Sequence, residues 1–312
     1  MAAMFPGRHF SPVRLLIVLT TIVAIVAGSA IWLTYTRTAS PTLPSPWFGG
    51  YVDVTATPSY AFESDVGSQY GNVILGFVTS HDRECTPGWN GYTMAEAAHD
   101  LDLDSRIAQT QRPGRSVTIS FGGQAGRELA PSGPPASKLA DAYSSVVSRY
   151  QVNSVDFDLE GDNLTADASV TARRIAAIGK LEDKLAAHGG NPSISLTLSV
   201  GKQGMTLDGL RMVKSLLDKG VEISKLNLMT MDYNVPSSDT PQSDLIKESL
   251  NAAHDQYREL LYAHGHLFDS TQVWQLMGAT VLIGQNDTPN ESFTLADAPS
   301  VNTFAQQTSL AQ

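Results

Sequence analysis

Along residues 49–283, short runs rich in Val, Ile, Leu and Thr alternate with longer helix-like stretches, and no other feature limits the fold of this chain as much. The runs fall at 49–54, 73–78, 116–121, 154–159, 193–200, 226–231 and 279–283, most of them bounded by Gly, Pro, Asn or Asp, the pattern of strands between turns. Between most of them the apolar period changes. Leu139, Tyr143, Val146, Val147 and Tyr150 recur at spacings of three and four, which predicts an amphipathic helix. Ile175, Ile178 and Leu185 predict a second helix, and 245–262 a third. Strands that alternate with helices make a parallel sheet. Seven such strands in about 260 residues fit a closed (β/α) barrel better than an open sheet.

One strand has an unusual face. Across Ser154, Val155, Asp156, Phe157, Asp158, Leu159 and Glu160, the alternation of a strand puts the three carboxylates on one side and the apolar residues on the other. Buried carboxylates this close resist ionising together, so at least one pKa must rise. A solvated edge strand or a structural cation site are the simpler readings, and the hydrophobic stretches on both sides argue against an edge. The row suits glycoside hydrolysis in which the substrate's own acetamide takes part. Glu160, at the carboxyl end, protonates the leaving oxygen. Asp158 orients the acetamide and stabilises its developing charge, and Asp156 shares a proton with Asp158. Because the sugar supplies the nucleophile, no second carboxylate is needed across the ring.

This stretch resembles the DxxDxDxE signature of family 18 glycoside hydrolases, with Asn153 in the first position in place of Asp. That position faces away from the acidic row. Ser120, Phe121, Gly122 and Gly123 resemble the family's SxGG motif, in which the serine donates to a buried carboxylate. Met229, Thr230, Met231, Asp232 and Tyr233 resemble its sixth-strand motif, but the family's usual Tyr before the Asp is here Met231, so Tyr233 is left to reach the acetamide from one pleat higher, or to line the mouth as a loop aromatic. Residues 283–287, with Gln285, and residues 85–89, ending in Trp89, are similar to segments of one bacterial chitinase branch. Trp89 and Trp274 read equally as sugar-stacking platforms or as core. The resemblance covers about residues 47–304 and implies a (β/α)8 TIM barrel of the chitinase type. It implies catalytic Glu160, Asp158 and Asp156, with Tyr233, Asp232, Ser120, Met231, Gln285 and Trp89 as substrate-binding residues.

The chain ends at residue 312, and 308–312 is too short and polar to carry the eighth-strand Trp expected of such a barrel. The expectation is therefore a barrel with its eighth strand missing and with unpaired edges on its first and seventh strands. The activity expected is retaining, substrate-assisted hydrolysis of β-1,4-linked N-acetylglucosamine polymers, chitin or chitooligosaccharides, without cofactor or metal. A catalytically silent, membrane-anchored protein that binds chitooligosaccharides or peptidoglycan is the rival reading, and the presence of Glu160 speaks against it.

Composition limits partners and place. The net charge is −10 and Lys and Arg form no long run, which argues against nucleic acid as a partner, since phosphate neutralisation needs clustered positive charge. Cys85 is the only cysteine, so neither an intrachain disulfide nor a cysteine metal cluster can form. His264 and His266 are two apart beyond a helix and read as solvated loop residues. Residues 15–35 are apolar and uncharged, with Arg8 and Arg14 ahead and Trp32 and Tyr35 near the far end. They predict a single transmembrane signal-anchor helix, with residues 1–14 a cytoplasmic stub and the rest outside the cytoplasm. A cleaved signal ending near Thr38 and Ala39 is the alternative and would make the protein secreted, but such apolar cores are usually shorter. The proline-rich residues 36–46 read as a linker and 47–312 as the barrel domain.

Overall fold

The computed structural model describes residues 12–13, 15–23, 46–64, 72–82, 84–112, 115–165, 167–187 and 192–312. Two compact units divide the chain, residues 1–43 and 44–312. In the first, residues 12–13 and 15–23 are helical with exposed side chains. Among the described residues no helix is long and apolar enough to cross a membrane. The expected span 15–35 passes beyond residue 23 into residues outside those described, as do Arg8, Arg14 and nearly all of the linker.

The second unit opens with β1 (Gly49–Asp53) and β2 (Asn72–Ser80), followed by the short strands β3 (Pro87–Trp89) and β4 (Tyr92–Thr93) and the helices α1 (Met94–Asp100) and α2 (Leu103–Gln111). Then come β5 (Val117–Gly122), α3 (Ala136–Tyr150), β6 (Ser154–Leu159), the one-turn α4 (Gly161–Leu164) and α5 (Ala168–Ala187). β7 (Ser193–Gly201), β8 (Gly204–Met205), α6 (Leu207–Asp218), β9 (Lys225–Met229), α7 (Gln242–Ala263) and α8 (Ser270–Trp274) follow. The chain closes with β10 (Met277–Thr280), the hairpin β11 (Gly284–Gln285) and β12 (Ser292–Phe293), and α9 (Asp297–Thr308).

Seven strands pair in parallel in the order β1, β2, β5, β6, β7, β9, β10; each overlaps a run predicted from the sequence, the seventh by only two residues, because it starts at Met277 and ends at Thr280 instead of spanning 279–283. The predicted stripe of α3, from Leu139 to Tyr150, is buried throughout. Tyr143 meets Phe121 of β5 and Phe157 of β6, with ring centroids 4.9 and 5.1 Å away. Each such aromatic contributes about 1.5–3 kcal/mol through removal from water, and together they fix the outward face of the acidic strand. Two helix starts carry reciprocal side-chain caps. Thr93 with Glu96, and Asp269 with Gln272, form capping boxes at α1 and α8, which satisfy main-chain donors that the first turn leaves free.

The expected gap between the first and seventh strands is partly filled, which corrects the sequence expectation of bare edges there. Ala311 accepts from the Trp47 N–H (2.9 Å) and donates to the Met277 carbonyl (2.9 Å), while Gln312 accepts from Ala279 N–H (2.9 Å). Leu310 and Ala311 are buried. Residues 310–312 thus lie between Trp47, two residues ahead of β1, and the seventh strand, hydrogen-bonded to both. The polarity that made this segment look unfit for a strand is side-chain polarity, whereas the seam is held by main-chain groups.

Candidate active site

β6 lies between β5 and β7, with Ser120 opposite Asp156, Gly122 opposite Asp158, and Asp156 and Asp158 opposite Ser195 and Thr197. Asp156 is fully buried and surrounded by four hydroxyls. Ser120 Oγ donates to its Oδ2 at 2.7 Å and Tyr51 Oη at 3.2 Å, while Ser195 Oγ and Thr197 Oγ1 each donate to Oδ1 at 2.7 Å. Burial raises the Asp156 pKa and the hydroxyls oppose that rise. Asp158, one pleat higher, is also buried, and its Oδ1 has no hydrogen-bond partner. Burial raises its pKa well above the usual carboxylate value, and the neighbouring Asp156 and Glu160 raise it further. A carboxylate that accepts four hydroxyls is stabilised as an anion, whereas one without donors is not. Of the pair, Asp158 is therefore the member whose ionised form is less favoured. Glu160 follows at the end of the strand, half-buried, its pKa raised by burial. It holds a proton to higher pH than an exposed glutamate, as a general acid must.

A second polar cluster adjoins the pair. Asn227 of β9 donates through Nδ2 to Tyr51 Oη (3.1 Å), Thr197 Oγ1 (3.1 Å) and Thr280 Oγ1 (2.8 Å). It links the first, fifth, sixth and seventh strands of the barrel through the interior. Burial, with Asp156 and Asp158 alongside, raises the Tyr51 pKa and keeps its phenol protonated. Two residues before Asn227, Lys225 Nζ sits 4.0 Å from the centre of the Trp47 ring, and burial lowers its pKa to about 7 while Asp156 opposes the shift. The glycines of the SxGG segment are required by space. A Cβ on Gly122 (φ +106°) would stand 2.1 Å from the Asp158 carbonyl, and one on Gly123 (φ +82°) 2.7 Å from the Phe77 ring. Gly123 N–H donates to that same carbonyl at 3.0 Å. Only glycine lets the loop come this close to the acidic strand.

No family model matches the chain. It is 31% identical over 242 residues to a probable bifunctional chitinase/lysozyme of Escherichia coli strain K12, and 31% identical over 243 residues to endochitinase 11 of Metarhizium anisopliae. Each match takes in 76% of this chain but only 26% and 45% of the respective relative, so the chain spans less than half the length of these curated relatives. The catalytic domain of a hyperthermophilic chitinase from Pyrococcus furiosus shares the fold with a TM-score of 0.72 at 22% identity, over 86% of this chain and 83% of that one. The chain is chitinase-like in sequence and in fold.

In this chitinase-like barrel the remaining candidate residues fall into three groups. Asp232 and Tyr233, just beyond β9, belong to the mouth loops but are held by them. Asp232 (φ +55°) accepts from Thr288 N–H at 2.8 Å. The fully buried Glu291 accepts from the Tyr233 and Asn234 main-chain N–H groups (2.8 and 3.0 Å) and from Gln242 Nε2 (3.0 Å). The Tyr233 hydroxyl meets Ser249 Oγ of α7 at 2.7 Å, so the phenol is engaged by the helix layer and not by the carboxylates. Met231 is half-buried beside them. Gln285 is exposed and staples its own hairpin, donating to the carbonyls of Asn286 (3.0 Å) and Glu291 (2.9 Å).

The tryptophans form the third group, and here the structure corrects the sequence reading. Trp89 is fully buried, and its indole Nε1 donates to Tyr150 Oη at 2.8 Å. Trp274 is also buried, stacked on His254 at 4.4 Å. Both pack the chitinase-like core and offer no face to a sugar. Sequence reasoning missed Tyr51, Ser195, Thr197 and Asn227. For Ser195 and Thr197 the sequence shows a polar residue at every second position of 193–200, which puts them on one face without naming their partner; Tyr51 and Asn227 carry no such pattern. Among the described residues no group of three or more His, Cys, Asp or Glu side chains is placed to hold a metal ion.

Proposed function

We propose that this chain hydrolyses β-1,4-linked N-acetylglucosamine polymers, chitin or chitooligosaccharides, with retention of configuration and with the substrate's acetamide as nucleophile. The single observation that carries the reading is the graded row along and just past β6: an anion-stabilised Asp156, a buried Asp158 whose Oδ1 meets no donor, and a half-buried Glu160. The Glu160 proton passes to the glycosidic oxygen as the C1–O bond breaks. The acetamide carbonyl oxygen bonds to C1 and forms an oxazolinium. Asp158 accepts from the acetamide N–H and moves its own proton toward Asp156, so negative charge appears where the ring becomes positive. Charge placed in advance at such a point is commonly worth several kcal/mol. Water then adds to C1, the oxazolinium opens, and Glu160 recovers its proton. The chitinase names of the relatives support chitin as the substrate class.

The reading places the barrel outside the cytoplasm, tethered by the apolar residues 15–35 behind Arg8 and Arg14. Protease added to intact cells then degrades the barrel, and fractionation finds it with membranes; recovery of a domain starting after Ala39 in the medium shows cleavage instead. Turnover of a fluorogenic chitotriose by the full chain tests the activity. Wild type is expected to turn over and Glu160→Gln to lose about 10²–10⁴-fold in kcat while still binding the sugar. Equal rates for the two overturn the assignment.

A further inference from the structure

Among the described residues no side chain hydrogen-bonds the Glu160 carboxyl, so the main chain on either side of it sets where the acid stands. On one side is β6. On the other is α4, whose Asn163 and Leu164 N–H groups donate to the Glu160 carbonyl at 2.9 and 3.2 Å. α4 is itself gripped from outside the barrel. Arg174 of α5 donates through Nη2 to the Asn163 carbonyl at 2.8 Å, and through Nη2 and Nε to Glu128 Oε2 at 3.1 and 3.3 Å. Both partners of this ion pair are fully buried. Glu128, in the loop after β5, also accepts from Tyr143 Oη at 2.5 Å and from Ala130 N–H at 2.9 Å, and its own N–H donates to Asn163 Oδ1 at 3.3 Å. The loop that carries Glu128 begins at Gly123, which binds the Asp158 carbonyl. One buried network thus holds the backbone at Asp158 and at Glu160.

We infer that the Arg174–Glu128 pair is a positioning device for Glu160, an inference that rests on the reading of Glu160 as the general acid. Stability alone is a poor account of the pair. Arg174 Nη1 is buried with no partner, and apolar residues of similar volume usually fill such a place at no loss. What the guanidinium supplies is a rigid planar fork that reaches two elements at once, the SxGG loop and the turn behind the acid. Misplacement of a reacting group by about 1 Å costs on the order of 10²-fold in rate, so a loosened α4 should be visible in turnover before it is visible in binding.

The test compares full-length wild type, Glu160→Gln, Arg174→Met, Arg174→Lys and Glu128→Gln on fluorogenic chitotriose, with thermal unfolding of each and kinetics taken below the onset of melting. Arg174→Met is expected to lower kcat tenfold or more with KM within twofold, and Arg174→Lys to restore part of the loss. Glu128→Gln keeps the shape and an acceptor oxygen, and is expected to lower kcat threefold or more. If Arg174→Met does not fold, Glu128→Gln decides alone. Wild-type kcat in the folded variants, or a rise in KM at unchanged kcat, overturns the positioning role while the loss in Glu160→Gln still upholds the acid. A wild type no faster than Glu160→Gln overturns the acid, and this inference with it.

Discussion

Two regions of the barrel mouth each bury a carboxyl group, and they treat it in opposite ways. In the loop layer, Glu291 accepts from three N–H groups, two of them main-chain donors beyond β9. In the barrel interior, Asp158 has an oxygen with no donor and two carboxyl neighbours. Burying a carboxylate is tolerable when its oxygens are met by donors, so Glu291 serves as a clamp that joins the loops after the sixth and seventh strands. Asp158 has no such compensation. A group kept in an unfavourable state while its neighbour Asp156 receives four hydroxyls is poised to change its bonding when a substrate arrives, which is a common property of reactive sites.

The comparison is broken most forcefully at Asp158. Asp158→Asn removes the charge that complements an oxazolinium, and kcat on chitotriose should fall about 10²–10³-fold with little change in unfolding at acid pH. Near wild-type turnover would reduce Asp158 to a passive member of the core.

The same carboxyl-to-amide exchange at Glu291 should act on stability instead. Glu291→Gln sets an amide N–H₂ against N–H donors and should cost about 1–3 kcal/mol, read from urea unfolding, with kcat changed far less than in Asp158→Asn. An unaltered urea midpoint would show that the clamp holds nothing.

How much of this was legible in the sequence follows from how local each feature is. The seven strands and the α3 stripe are period-two and period-3.6 patterns within single segments, and the structure has them at the expected places, except that the seventh strand starts two residues early and ends at Thr280. The acidic row lies on one strand, so it could be read whole. The hydroxyl cage of Asp156 is gathered from β1, β5 and β7, and Ser195 and Thr197 look like ordinary strand residues until the register with β6 is known. Glu128, Arg174 and Glu291 look like surface charges for the same reason. The aromatics misled because a ring's direction depends on its loop. At Asp232 the main chain turns through positive φ, and Tyr233 is carried to α7.

A smaller effect concerns pH. Because the folded-state pKa of Asp158 is raised above its ordinary value, the folded chain holds a proton that the unfolded chain releases at about pH 3.9. Above that pH the unfolded state binds fewer protons, so this group's contribution to stability is present below the ordinary carboxylate pKa and is lost as pH rises toward the raised one. The slope is at most about 1.4 kcal/mol per pH unit for one proton. Thermal melts from pH 4 to 8 should show this decline in wild type and a flatter profile in Asp158→Asn. Parallel profiles would mean that the pair's proton resides elsewhere.

The smallest effect is expected at the one position where the acidic signature departs from its family. Asn153 precedes β6 with an exposed side chain, and its carbonyl accepts from Ser193 N–H at 2.9 Å. That contact belongs to the main chain and survives substitution. The alternation of the strand groups residue 153 with Val155, Phe157 and Leu159, on the side opposite the carboxylate row. A carboxylate restored there is solvated and separated from Asp158 by the sheet itself. Asn153→Asp should therefore leave kcat and KM within about twofold and stability within about 0.5 kcal/mol, as exposed substitutions away from special features usually do. A gain of tenfold or more in kcat would mean that the first position of the signature communicates with the row through the sheet, and the contrast between a reactive interior and a structural exterior would then have to be redrawn at β6.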